Sequence, residues 1–269
     1  MVGEPPCYAA LLESGLARVT GFEPDPVALA ALAEHAGEHA RHLGHAVGDG
    51  GTHELRRCAA AGFSSLFEPD AAQLAVLTDF PRLAEVLDRM PVATVRLDDV
   101  PELERADLLA LDVQGSERAV LDGADRLLAT VFAVQVEVGF HRLYEGAPTF
   151  ADVDLRLREA GLVPHCFVTS RTWPLAPIGW HDPLQAHSRH LVEADMLYVR
   201  DLTTLGAVPE DTLRCAVLLA CGAYGSIGLG LVCLRELISR GVLDPGSLDR
   251  FREIALAALA PHDAFGGRR

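Results

Sequence analysis

The stretch Asp107-Leu-Leu-Ala-Leu-Asp-Val-Gln-Gly-Ser-Glu-Arg-Ala-Val-Leu-Asp-Gly-Ala124 decides how this chain is read. Leu108 to Leu111 are apolar on consecutive positions, the pattern of a strand buried on both faces of a parallel sheet. The run stops at Asp112, Gly115 breaks it, and a helical pattern follows from about Ser116 to Leu128. Asp112, Gln114 and Glu117 therefore gather just past the carboxyl end of a central strand, where open α/β sheets hold their ligands. That arrangement points to a small-molecule or cofactor site rather than a surface built for a macromolecule.

On either side of this stretch, short apolar runs alternate with helical patterns. Val19–Phe22 predicts a strand ending at Glu23, and Pro26 to Ala40 a helix with proline just inside its start. Gly44–Val47 and Glu54–Cys58 predict a pair of strands joined by a turn at Asp49-Gly-Gly-Thr52, and Val92–Leu97 a further short strand. Phe132–Val138 is the next strand, Phe150–Ala160 an amphipathic helix stopped by Gly161, and Leu162–Thr169 and Asp195–Arg200 two last strands. This alternation implies a mostly parallel sheet flanked by helices, the last two strands forming an antiparallel edge pair across an irregular segment 170–194. From residue 205 onward only helices are expected: Pro209–Ala220, Gly228–Arg240 and Pro245–Leu259.

Composition narrows the function. With 49% hydrophobic and 23% charged residues, the 269-residue chain reads as an ordinary globular protein rather than a disordered one. A formal charge of −15 without any basic stripe argues against nucleic acid as a partner. Cys7, Cys58, Cys166, Cys215, Cys221 and Cys233 form no C-x-x-C pair, so no structural zinc is expected. No basic-plus-apolar leader opens the sequence, and reduced thiols in a cytoplasmic protein are the expectation. Cys215 to Leu234 carries no charge, but four glycines dilute it and charges crowd its ends, so a buried helix or helix pair is expected and no membrane partner.

Several side chains could carry chemistry. Glu23, after a strand and before a helix, could accept the hydroxyls of a ribose or sit as a solvated carboxylate favoured by the helix dipole. Gly3 is the only glycine ahead of the helical stretch Ala9–Ser14, whose N-terminus could receive a carboxylate or phosphate. The strand expected before such a turn has only Met1 and Val2 in its place. Asp49 could reach an adenine amino group or form an Asx turn with Gly50 and Gly51. Ser64 and Ser65 could contact a ligand or cap the next segment. Asp112, Gln114, Glu137, His141 and Tyr144 could orient an amine cofactor, bind a metal, or take a proton from a hydroxyl. Equally, Glu137 could pair with Arg118 or Arg142. His165, His181, His187 and His190 lie in or beside segment 170–194, which has the length of a lid.

Gly21-Phe-Glu-Pro-Asp25, Ala46-Val-Gly-Asp49, Ser64-Ser-Leu66, Leu97-Asp-Asp99, Leu111-Asp-Val-Gln-Gly-Ser-Glu117, Leu121-Asp-Gly-Ala124 and Gln135-Val-Glu137 occur in order. Together, over about residues 15–200, they resemble the FkbM-type methyltransferases, a branch of the class I S-adenosylmethionine-dependent enzymes. The resemblance implies a doubly wound, mostly parallel seven-stranded Rossmann-like sheet with one antiparallel strand, its first strand short or missing. The resemblance implies methyl transfer from S-adenosyl-L-methionine to a hydroxyl of a small molecule or glycan. With the change to helices only, the chain divides into a methyltransferase-like α/β domain over 1–204 and a helical extension over 205–269, which could pack on the sheet, cover the site or mediate a homodimer. By position, Glu23 would hold the ribose hydroxyls and Asp49 would lie near the adenine. Gly3 and Ser65 would complete the cofactor wall. Asp112 and Gln114 would face the transfer site, and Glu137, His141 and Tyr144 the acceptor. Asp112 or His141 would be the base, Asp112 preferred, with no metal. A degenerate binding protein that keeps this fold is the competing expectation. A dinucleotide oxidoreductase is disfavoured by the lack of G-x-G-x-x-G.

Overall fold

A computed structural model describes residues 6–259, and the chain folds as a mixed α/β protein. It forms two compact units, one over Gly15–Asp201 and one that joins the segment up to Ser14 with the residues from Leu202 onward. The smaller unit contributes α1 (Ala9–Glu13).

In the larger unit β1 (Val19–Phe22) leads through α2 (Pro26–His35) to β2 (Ala40–Leu43), which pairs with β1 in parallel. The Asp25 carboxylate caps α2 by accepting from the Val27 N–H at 2.8 Å. This helix stops short of the expected Ala40, because Ala40–Leu43 are taken into the parallel pair. Tertiary pairing here overrides the helical preference of the Ala/Leu-rich run. Next come β3 (Ala46–Val47), β4 (Thr52–Cys58), the short helices α3 (Ala71–Leu74) and α4 (Phe80–Leu83), and β5 (Val86–Val95). Strands β3 and β4 do not pair with each other as the turn chemistry suggested. Instead β5 lies between them, parallel to β3 and antiparallel to β4.

The remaining elements are β6 (Leu108–Leu111), α5 (Glu117–Asp122), α6 (Asp125–Leu128), β7 (Ala133–Gly139), α7 (Phe150–Glu159), β8 (Leu162–Trp173) and β9 (His190–Arg200). Their strands run in the order β6-β7-β9-β8, with β6 and β7 parallel and the other neighbours antiparallel. The single helix expected over 116–128 is broken at Gly123-Ala124. Asp98 explains the break: its carboxylate accepts from the N–H groups of Arg126 at 2.7 Å and Leu127 at 3.0 Å, capping a new helix start. The antiparallel pair at the end is as expected, but both strands run further, leaving 174–189 between them.

Among the described residues the strands form sheets of two, three and four rather than one of seven. One consequence corrects the reading of β6. It lies at the edge of the four-stranded sheet with Ala110 exposed, and the strands buried on both faces are β7 and β9. The core under this sheet gathers Leu111, Val120, Leu121, Val134, Val136, Val138, Leu157 and Tyr198. In the smaller unit α8 (Glu210–Gly222), α9 (Ile227–Ser239) and α10 (Ser247–Leu259) follow. The uncharged run is thus divided between α8 and α9, and no described helix is long and apolar enough to cross a membrane.

Arg200, at the end of β9, fastens the helical layer to the sheet. Its guanidinium donates to the Val131 carbonyl and the Ala160 carbonyl, each at 2.8 Å, and to the Leu128 carbonyl. These oxygens lie at or just beyond the C-termini of α6 and α7, where free carbonyls and the helix dipole favour a cation. Arg200→Met keeps the apolar stem but removes the donors, and should lower unfolding stability by about 2–3 kcal/mol in urea denaturation. An unchanged midpoint would show that water replaces the guanidinium without cost.

Candidate active site

Strands β6 and β7 run parallel with Leu111 opposite Val136, so Asp112 and Glu137 leave the sheet side by side at its carboxyl edge. Across β7, β9 and β8 the register sets Glu137 opposite Asp195 and Asp195 opposite Thr169; the next row sets Glu193 opposite Gly139 and Arg171. Directly paired residues project from one face of a sheet. The row is bonded: Thr169 donates to Asp195 at 2.5 Å, and Arg171 Nη1 donates to Glu193 at 2.5 Å and to Glu137 at 3.2 Å.

After Asp112 the chain turns sharply, with φ +50° at Gln114 and +98° at Gly115. Glycine suits the second position. Its φ is left-handed, where a side chain is strained, and the backbone lies in contact distance of Tyr144, Ala147 and Phe67. Gln114 has no such excuse, since a left-handed side-chain-bearing residue costs about 1–2 kcal/mol. The turn is held from within by Glu117, only 5% exposed, whose carboxyl accepts from the Val113 N–H at 2.9 Å and the Gly115 N–H at 3.1 Å. Gln114 in turn reaches both neighbouring carboxyls, its Nε2 donating to Asp112 at 2.5 Å and to Glu137 at 3.2 Å.

Crowded carboxyls shift one another. Glu137, 9% exposed, is pushed up to about 9, by burial first and then by the charges of Asp112, Glu193 and Glu117, with Arg171 opposing. Asp112 keeps solvent access at the edge of the cleft. Its pKa is nevertheless raised, by desolvation first and also by Asp195, against the Gln114 hydrogen bond and Arg171. At neutral pH Glu137 therefore keeps its proton. A cavity of about 40 Å³ opens beside them, lined by Gln114, Glu137, His141, Tyr144 and Glu193. That volume suits a methyl or hydroxyl group rather than a whole cofactor.

His141 sits in this lining with both ring nitrogens engaged: Nε2 with the Gln73 carbonyl at 3.0 Å, Nδ1 with His190 Nε2 at 3.0 Å. A carbonyl accepts only, so Nε2 of His141 carries the proton, and its Nδ1 accepts from His190. Burial, and then His141, lower the pKa of His190. Tyr144 is buried and its hydroxyl donates to the Phe63 carbonyl at 3.2 Å, so it offers its ring to the cavity. Ser65 is 2% exposed, donating to the Gln114 carbonyl at 2.6 Å and accepting from the Phe67 N–H at 3.1 Å.

Glu23 stands at the carboxyl end of β1 with Oε1 accepting from the Asp25 N–H at 2.9 Å. Asp49 forms the Asx turn, its Oδ1 accepting from the Gly51 N–H at 2.8 Å and meeting His53 at 2.7 Å. The bond to His53 is the first cause that holds its carboxyl below the usual range. Gly3 lies outside the described residues. Among the described residues no group of three or more His, Cys, Asp or Glu side chains is arranged to hold a metal ion.

Over residues 3–163 the sequence matches the family model of the methyltransferase FkbM domain. The chain belongs to the FkbM methyltransferase family. No curated protein and no solved structure was found to match it. The FkbM domain match takes in Glu23, Asp49, Ser65, Asp112, Gln114, Glu137, His141 and Tyr144, and it ends within β8. Arg171, Glu193 and Asp195 lie beyond the FkbM match, and sequence reasoning missed them. The alternation Val192-Glu-Ala-Asp-Met196 could have revealed two of them, since period-two polarity marks one face of a strand.

The raised midpoint of Glu137 carries a stability consequence. Between the ordinary carboxylate range and about 9 the folded state keeps a proton that the unfolded chain releases, so this group's contribution falls as pH rises through that window. Glu137→Gln mimics the neutral form. It should leave stability near wild type at pH 4, raise it by at least about 1 kcal/mol at pH 8, and flatten the profile between. Parallel profiles for the two proteins would show that Glu137 titrates normally.

Proposed function

We propose that this chain is an S-adenosylmethionine-dependent O-methyltransferase acting on a hydroxyl of a small molecule or glycan. The observation that carries the reading is the Asp112 carboxyl at the tip of β6, raised in pKa and still open to solvent, beside a Glu137 that holds its proton.

The donor set suits such a cofactor. With Glu137 protonated, Asp112, Glu193 and Asp195 still outnumber the one guanidinium of Arg171, so the cleft has an excess of negative charge that favours an ammonium or sulfonium. Glu23, at the carboxyl end of a parallel strand, has the chemistry to hold ribose hydroxyls, and Asp49 would lie toward the adenine. When bound, S-adenosylmethionine supplies a methyl group already activated on sulfur.

What remains for the protein is alignment and removal of one proton. Asp112 takes that proton from the acceptor hydroxyl, its raised pKa bringing its basicity closer to the working pH. Gln114 fixes the carboxylate by its amide hydrogen bond, and neutral Glu137 adds no second negative charge where the acceptor oxygen becomes more anionic. His141 is less suited to the role, because one nitrogen donates to Gln73 and the other accepts from His190.

Calorimetry with S-adenosylhomocysteine, S-adenosylmethionine and NAD tests the cofactor, and release of S-adenosylhomocysteine over a panel of monosaccharides tests the transfer. Asp112→Asn should bind S-adenosylhomocysteine like wild type while losing about 10²–10⁴-fold in turnover, the range of a general base. Full turnover in that variant would contradict the assignment. Binding without transfer to any hydroxyl would favour a binding protein on the same fold, and binding of NAD alone an oxidoreductase.

A further inference from the structure

Gln114 bridges the carboxyls from a left-handed backbone, and one bond from the segment bridged to β4 bears on that backbone. Ser65 donates its hydroxyl to the Gln114 carbonyl at 2.6 Å. Ser65 is itself immobilised: its N–H donates to the Arg56 carbonyl at 3.2 Å, its carbonyl accepts from the Arg56 N–H at 2.8 Å, and its Oγ accepts from the Phe67 N–H at 3.1 Å. Arg56 is part of β4, which pairs with β5 and not with the strands that carry the carboxyls.

We propose that Ser65 is a positioning residue of the active site, acting through the Gln114 backbone to keep the Gln114 amide between Asp112 and Glu137. The proposal rests on the reading of Asp112 as the base. Orienting the Gln114 carbonyl fixes the peptide between Gln114 and Gly115, and with it the direction in which the Gln114 side chain leaves the turn. Without that bond the Gln114 carbonyl loses its fixed partner, the turn keeps only its Glu117 anchors, and the Gln114 Nε2 shifts from the carboxyls. Glu117 holds the same planar peptide from its opposite edge through the Gly115 N–H, so Ser65 and Glu117 fix it together.

The groups that face Asp112 are Glu137 on β7, Asp195 and Glu193 on β9, Arg171 on β8 and Glu117 on α5. The Gln114 amide and the Arg171 guanidinium favour the charged form of Asp112, and burial and the Asp195 charge oppose it. Losing the amide therefore raises the Asp112 midpoint and moves the acid limb of methyl transfer to higher pH.

The test is a titration of the Asp112 carboxyl by carbon-13 NMR, assigned with Asp112→Asn, in wild type, Ser65→Ala, Gln114→Ala and the double variant. Each single substitution should raise the midpoint by about one pH unit. The double variant should match Gln114→Ala, because a residue acting through Gln114 adds nothing once its amide is gone. Ser65→Thr, which keeps the hydroxyl, should restore the wild-type midpoint. If Ser65→Ala does not fold, Ser65→Cys, near-isosteric with a weak donor, replaces it with the same shift expected. An unchanged midpoint in a folded Ser65 variant, or additive shifts in the double variant, would overturn the proposal. The titration needs no cofactor, so absence of S-adenosylhomocysteine binding to wild type would count against the proposed function and not against this role of Ser65.

Discussion

Gln114 stands in a left-handed conformation with its side-chain amide between two carboxyl groups, and the carboxyl edge of the four-stranded sheet is organised around that placement. Parallel pairing of β6 with β7 brings Asp112 and Glu137 together, which by itself is repulsive. The repulsion is managed by unequal protonation, by an amide that donates to both groups, and by Arg171 reaching in from β8. Carboxyls in one site that hold protons with different affinity are the usual means of giving similar groups different roles.

The surrounding fold serves this edge from several directions. Glu117 closes the turn from inside, Ser65 fastens it from the segment bridged to β4, and the positive φ at position 115 favours glycine there. On the far side His141 and His190 tie β9 to Gln73 next to the cavity. The result is a site whose polar groups are mostly held by protein partners, as preorganised stabilisation of charge requires.

Much of this was legible in the residues. Leu108–Leu111, Asp112 and Gly115 announced a strand, its end and a turn, and Glu137 could be placed beside them by counting to the next apolar run. Glu23 at a strand end and Asp49 in an Asx turn were likewise readable, because the signals are local. What the chain order hid was pairing between distant segments. Nothing near Ser65 indicated that its hydroxyl would reach Gln114, and nothing near His141 pointed to His190. The Ala/Leu-rich run after Pro26 concealed β2, since composition favoured helix up to the point where pairing with β1 decided otherwise. Leu108–Leu111 read as doubly buried because apolar composition reports what a strand could bury, and its neighbours decide what it does bury.

The FkbM match covers the acidic turn and its neighbours, whereas Arg171, Glu193 and Asp195 lie outside the matched segment. In the proposed function β1 and β6 end on a common cofactor site, with Asp112 at its reactive end. A crystal structure of the chain soaked with S-adenosylhomocysteine should place the ribose hydroxyls against Glu23 and the sulfur beside Asp112 and Gln114; a ligand bound away from Asp112, with the Gln114 bridge undisturbed, would rule that site out.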